Sequence, residues 1–188
     1  MPSESSRLRG EFGEIDIYLF DQLLRGRLDR RRRVLDAGCG DGRNLVYLLR
    51  NGFTCIAVDR ERRRVPHFAV AELDALPLPD ACVDVVICSA VLHFADDAAH
   101  FGRMVTELWR VLAPGGMLFA RLASNIGIED AVGAAGRLVR LPDGSDRFVV
   151  DQAMLLDWTS RLGGQLLDPI KTTNVQQMRA MTTWVVGK

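Results

Sequence analysis

The stretch from Val34 to Asn44, VLDAGCGDGRN, places an acid, Asp36, at the end of an apolar run and follows it with Gly38, Gly40 and Gly42. Glycines supply positive φ and leave no Cβ in the way, so this turn lets a cofactor lie against bare backbone. A helix opening after Gly42 would aim its N-terminal amides at the same spot. A second apolar run, TCIAVD from Thr54 to Asp59, also ends in an acid. Asp59 falls about 20 residues beyond the glycines, the distance at which a strand, helix, strand unit brings a carboxylate to the two hydroxyls of a ribose. The chemistry implied is the binding of a nucleoside cofactor. The spacing is GxGxG, with Arg43 where a dinucleotide fingerprint needs its third glycine for close helix packing, which disfavours a nicotinamide cofactor.

Several elements must position these residues. Ile15, Tyr18, Leu19 and Leu23 recur at helical spacing, which predicts an amphipathic helix within residues 14–28 that could cover the cofactor pocket. Leu45, Leu48 and Leu49 form the stripe of the helix after the glycine turn, and Gly52 stops it. Phe101, Met104, Val105, Leu108, Val111 and Leu112 give the strongest helical pattern, capped by Asp96 or Asp97 and ended by Pro114, Gly115 and Gly116 before the strand MLFARL. Asp151 can cap a helix bearing Leu155, Trp158 and Leu162, closed by Gly163 and Gly164, with strands expected around Leu166 to Thr172 and Met178 to Val186. Strands alternating with helices predict an α/β, doubly wound, mostly parallel sheet with helices on both faces. Only Arg60 to Pro66 separates Asp59 from the presumed third strand HFAV, which leaves room for a single helical turn.

Four blocks, VLDAGCGDGRN, IAVD, AELDALPLPDACVDVVICSAVLHF (Ala71 to Phe94) and LWRVLAPGGMLFARL (Leu108 to Leu122), together resemble the class I S-adenosylmethionine-dependent methyltransferases. The GCGDGRN turn with Tyr47, Leu48, Asn51 and Gly52 is similar to that of the small bacterial tellurite-resistance methyltransferases. The resemblance implies a seven-stranded sheet of order 3-2-1-4-5-7-6 with the last strand, near MTTWVV, antiparallel. It also implies S-adenosylmethionine as cofactor and S-adenosylhomocysteine as product. Carried over to this chain, it places Asp36 beneath the turn of Gly38, Gly40 and Gly42 at the amino acid end of the cofactor and Asp59 at the ribose, with Cys39, Asn44 and Arg60 also among the cofactor-binding residues. Glu72 then faces the adenine amine and the Leu73 amide a ring nitrogen, with Asp74 replacing Glu72 in a rival register. Ser89 and Ala90 contact the cofactor from the next strand end. His93 is the candidate catalytic residue, needed as a base only for an acceptor that arrives protonated; a thiolate or chalcogen anion needs none. A domain that binds the cofactor without catalysis is the alternative.

A length of 188 residues suits a single domain over residues 1–188, with residues 1–30 as a helical cover and 123–150 as a loop region on the substrate side. That last stretch is rich in Gly and polar residues and includes Asn125, Glu129, Arg137 and Arg147. Hydrophobic content of 48%, charged content of 26% and zero formal charge fit a soluble protein with a small-molecule substrate and neither nucleic acid nor membrane as partner. The runs Arg30 to Arg33 and Arg60 to Arg64 lack interleaved aromatics and read as solvated surface. Cys39, Cys55, Cys82 and Cys88 show no metal-ligand spacing and read as reduced, mostly buried residues. No leader or spanning segment is recognisable, so a cytoplasmic monomer or homodimer without metal is expected.

Overall fold

The structure is a computed structural model that describes residues 3–132 and 136–188. Its centre is β1 (Arg33–Ala37), flanked by β2 (Thr54–Asp59) and β4 (Val83–Ser89), with β3 (Phe68–Val70) outside β2 and β5 (Leu112–Ser124) outside β4, all parallel. Neighbouring residues of these strands bury opposite ways: Val34 and Phe119 enter one apolar cluster while Leu35, Leu118 and Ala120 enter another. A sheet covered on both faces needs apolar side chains at both parities, and VLDA, TCIAV and VVICS provide them.

The far edge is antiparallel. β10 (Arg179–Gly187) pairs with β5 along its length, and two short strands, β8 (Gln165–Leu166) and β9 (Lys171–Val175), pair with β10 in turn. The order is β3-β2-β1-β4-β5-β10-β8, with β9 also on β10, so β8 and β9 jointly fill the sixth position of the expected arrangement. The single strand expected over Leu166 to Thr172 is thus two, divided around Pro169, which has no N–H for a ladder.

One face is covered by α4 (Ala98–Val111) and α6 (Gln152–Arg161), whose caps are Asp97 and Asp151, as the sequence leads one to expect. Phe101, Leu108 and Trp184 are the large fully buried groups there. The other face is covered by α2 (Ile17–Leu24) and α3 (Val46–Arg50), around Leu19, Leu48 and Phe119.

Several local expectations are corrected. The predicted helix within residues 14–28 is shorter, and a separate α1 (Glu4–Phe12) precedes it: Gly13, at φ 67°, ends α1, and Asp16 caps α2 by accepting from the Tyr18 amide. The chain does not enter a helix at Gly42. Turns run to Leu45, where the Gly42 carbonyl accepts from the Leu45 amide, and α3 starts only at Val46. Between Asp59 and β3 there is no helical turn at all. Residues 123–150 are not simply a loop: they hold α5 (Glu129–Val132) and a hairpin of β6 (Leu138–Arg140) and β7 (Asp146–Phe148), although residues 133–135 lie outside the described residues. The hairpin buries Val139 and Phe148 and stands over the carboxyl ends of β4 and β5.

Candidate active site

β1 has β2 on one side and β4 on the other, so the sheet reverses its winding there, and the crevice beyond the carboxyl ends of the strands is where such sheets take ligands. A cleft of about 280 Å³ opens at this point. It is lined by Gly38 and Gly40 from the turn, Asp59, Arg60 and Arg63 after β2, Glu72 and Leu73 after β3, and Ala90 and Phe94 after β4.

The turn owes its shape to its residue types. Gly38 has φ 78°, and a Cβ there would lie 2.3 Å from Val91 Cγ2, so only glycine fits. The Gly38 and Cys39 amides both donate to the Val58 carbonyl, at 2.7 and 2.9 Å, and Gly40 donates to Asp59 Oδ2 at 2.9 Å. Asp59 Oδ1 accepts from the Glu61 amide at 3.0 Å, so this carboxylate braces the turn against β2 and keeps its remaining lone pairs for the cleft.

Asp36 lies beneath the turn, 1% exposed, and its Oδ2 has no hydrogen-bond partner. Burial raises its carboxyl to about 7, against the smaller effect of Arg43 and with that of the Asp59 charge, while Asn44 favours the ionised form. A buried acid with one oxygen free below a glycine cradle fits the ammonium end of an amino acid, and Glu72 with the Leu73 backbone fits an adenine. The residues present therefore suit S-adenosylmethionine. Burial, with the nearby Asp36 and Asp59 charges, also raises the Cys39 thiol to about 12, so it is a packing group and not a thiolate.

The sequence-derived set divides in space. Gly38, Gly40, Asp59, Arg60, Glu72, Leu73 and Ala90 line the cleft. Asp36 and Cys39 are buried behind it, and the Gly42 Cα faces Val65. Asn44 and Ser89 are turned to Asp16: Asn44 Oδ1 accepts from the Asp16 amide at 3.0 Å, and Ser89 Oγ donates to Asp16 Oδ2 at 2.9 Å. Asp74 points elsewhere, pairing with Arg103 at 3.2 Å, so geometry favours the Glu72 register. The basic run Arg60 to Arg64 is not uniformly solvated, because Arg60 and Arg63 stand at the cleft mouth and Arg63 lies 3.8 Å from Asp59.

Sequence reading missed Asp16. Its carboxylate is buried among Ser89, Arg43 (3.6 Å) and Arg121 (3.2 Å), and it fastens the start of α2 to the ends of β4 and β5. An acid before a helical stripe signals a cap, but nothing local signals partners more than 70 residues away.

His93 sits in a separate pocket of about 350 Å³, which shares Ala90 and Phe94 with the cleft and is bounded beyond by Arg121, Arg147 and Arg179. Ala90 holds φ 65° without being glycine, a local strain at the junction of the two spaces. His93 Nδ1 accepts from the Ala123 amide at 3.2 Å, so the neutral ring carries its proton on Nε2. Burial, helped by the Arg147 charge, lowers its imidazolium to about 4. His93 is therefore a neutral hydrogen-bond donor with a weakly basic ring.

Comparison with known proteins agrees with this geometry. A family model described as "Methyltransferase domain" matches residues 35–120. A malonyl-[acyl-carrier protein] O-methyltransferase of Enterobacter lignolyticus is 36% identical over 114 residues, covering 54% of this chain and 44% of that protein. An uncharacterized methyltransferase of Mycobacterium tuberculosis is 33% identical over 156 residues, covering 72% of this chain and 61% of that protein. The chain spans about half the length of the curated relatives it matches. In fold it resembles the crystal structure of Burkholderia thailandensis 1,6-didemethyltoxoflavin-N1-methyltransferase with bound 1,6-didemethyltoxoflavin and S-adenosylhomocysteine, at TM-score 0.70 and 18% identity over 94% of this chain and 79% of that one. Fold, order of motifs and family match coincide: residues 35–120 match the methyltransferase-domain family, within a sheet of the order that the class I, S-adenosylmethionine-dependent resemblance implies.

Proposed function

We propose that the chain is an enzyme that transfers the methyl group of S-adenosylmethionine to a small-molecule acceptor. The observation that carries this reading is the pair of adjoining spaces, a glycine-floored cleft and a second pocket, which share Ala90 and Phe94 in their linings. A module that only binds the cofactor has no use for the second space, and this favours catalysis over the sensor alternative.

The cofactor supplies an activated methyl group on a cationic sulfur, so the protein has to bind, align and exclude water. In this reading Asp36 and the turn of Gly38 to Gly42 hold the amino acid end, with Cys39 and Asn44 supporting the turn from behind. Asp59 and Arg60 hold the ribose, Glu72 and Leu73 the adenine, and the backbone at Ser89 and Ala90 closes the inner wall. Phe94 and the hairpin of β6 and β7 screen the junction from water, and His93 donates from Nε2 towards the acceptor space. Asp16 ties the start of α2 to the strand ends beside the site, and in this reading the N-terminal helices serve as a cover.

The turn's likeness to the tellurite-resistance methyltransferases suggests a soft anionic acceptor, such as a thiolate or chalcogen anion, for which no base is needed. The malonyl-[acyl-carrier protein] relative suggests an oxygen acceptor instead. Calorimetry with S-adenosylhomocysteine tests cofactor binding. Label transfer from methyl-labelled S-adenosylmethionine to thiols, amines and carboxylic acids tests the reaction. Micromolar binding with no transfer to any acceptor would return the chain to the sensor reading, and no binding would remove both.

A further inference from the structure

The walls of the second pocket carry an excess of positive charge. Arg121, Arg147 and Arg179 line it against a single carboxylate, Asp143. Arg121 is offset from behind by buried Asp16. Arg179 stands 4.0 Å from Asp143, whose Oδ1 is already engaged by the Ser145 amide at 3.0 Å and the Ser145 hydroxyl at 2.6 Å. Arg147 has no carboxylate within ion-pair distance among the described residues. It donates to the Asp146 carbonyl and lies over the Phe94 ring, 4.8 Å from its centre. Because Phe94 borders both spaces, the least neutralised guanidinium of the second pocket stands at the passage between them.

The same pocket offers no group suited to remove a proton. His93 Nδ1 is taken by the Ala123 amide, and Ser145 with the two arginines lowers the proton affinity of Asp143, which makes it a weak base. An acceptor atom methylated here must arrive already deprotonated. A planar guanidinium fork matches a carboxylate in two parallel hydrogen bonds, whereas a thiolate or an amine makes no use of it.

Resting on the methyl-transfer reading above, we propose that the acceptor is a small carboxylate, bound as the anion through Arg147 with Arg179 and methylated on oxygen. A lone pair of the carboxylate oxygen forms the O–CH3 bond while the S–CH3 bond breaks and its electron pair stays on sulfur. No proton moves, and an anion and a sulfonium cation become a neutral ester and a neutral thioether. His93 Nε2–H and the arginines orient the acceptor and take no part in proton transfer.

The test uses the whole chain with methyl-labelled S-adenosylmethionine and hexanoate, succinate and benzoate, beside small thiols and amines. A methyl ester releases its label as volatile methanol in alkali, and S-methyl or N-methyl products do not. The expected result is alkali-labile product from at least one acid. Arg147→Gln should lower kcat/KM on the order of 10- to 100-fold, chiefly through KM, with partial recovery in Arg147→Lys, because charged hydrogen bonds of this kind are lost and only the charge returns. Arg179→Gln, on a different strand, should cause a smaller loss in the same direction, which separates acceptor binding from damage to the hairpin. Alkali-stable product only, turnover of no acid, or an unchanged KM in both glutamine variants would overturn the proposal while S-adenosylhomocysteine still binds. Loss of that binding in the parent chain would instead defeat the methyl-transfer reading on which it rests.

Discussion

Replacing Asp36 with asparagine sets stability against cofactor binding in a way the structure makes quantitative. The carboxyl is fully buried, with Oδ2 unpartnered, and burial raises it from 3.8 to about 7. A raised acid binds its proton more tightly in the folded state, so its contribution to stability is present below pH 3.8 and is lost as pH rises to about 7. At about 1.36 kcal/mol per pH unit, that window corresponds to ~4 kcal/mol of strain carried by the folded protein above pH 7. Asp36→Asn removes the ionisation and keeps the shape. Chemical denaturation at pH 5 and pH 8 should show the variant gaining on the parent protein at pH 8, by up to a few kcal/mol, with most of the gain gone at pH 5. Affinity for S-adenosylhomocysteine should move oppositely: in the parent it strengthens as pH rises through about 7, because the ligand's ammonium group favours the ionised acid, and in Asp36→Asn it is weak and flat across the same range. An asparagine variant that is less stable at pH 8 than the parent, or one that binds the ligand with unchanged affinity and pH dependence, would refute this account of the buried acid.

Four other outcomes follow from the geometry. Glu72→Gln should weaken S-adenosylhomocysteine binding in calorimetry by roughly tenfold, whereas Asp74→Asn, which loses a pair with Arg103, should leave it within about twofold. Gly38→Ala should abolish that binding and lower the melting temperature, because its Cβ meets Val91 at 2.3 Å in a left-handed backbone; adding Val91→Ala should recover part of the stability. His93→Gln should keep kcat within about threefold with no change in pH profile between pH 6 and 8, and a loss of ~100-fold would reinstate a general base. Asp168 is held below the usual carboxylate range despite burial, by Gln22, Arg27, Arg25 and Lys171, so its stabilisation is present above pH 3.8 and disappears as pH falls. Asp168→Asn should lower stability at pH 7 by ~1–3 kcal/mol and flatten the acid limb of unfolding.

Legibility differed between the two sides of the site. The cleft side is local: the turn at Gly38 to Gly42, the acid ending each of the first two strands and the AELDALP segment each declare themselves within a few residues, and the sheet carries them to one place. The neighbours of that segment were harder to read. Which of Glu72 and Asp74 faces the cleft depends on how a chain without a helix runs from Asp59 into β3, and no periodicity records that path. The helix expected directly after Gly42 begins later for a related reason, since the turns that precede it are fixed by long-range packing of Leu45 and Val65 against the core. The second pocket was the least legible: Arg147 falls in the stretch that the sequence assigns to the substrate side, but Arg121 and Arg179 come from two other strands and nothing in the sequence joins them to it.

The sequence by itself determined the alternation of strands and helices, the cap at Asp151, the choice of Asp96 or Asp97 for the other cap, and the glycine turn, because those depend on residue type and on spacing within a helix turn or a strand. Only the tertiary structure decided that strand six is broken and that residues 138–148 form a hairpin over the site. It alone decided that Asp16 is a buried anchor, that His93 is held neutral, and that three distant guanidinium groups share one pocket. Charge and burial at those positions are properties of what the fold brings near from elsewhere in the chain, and a linear pattern holds no record of such neighbours.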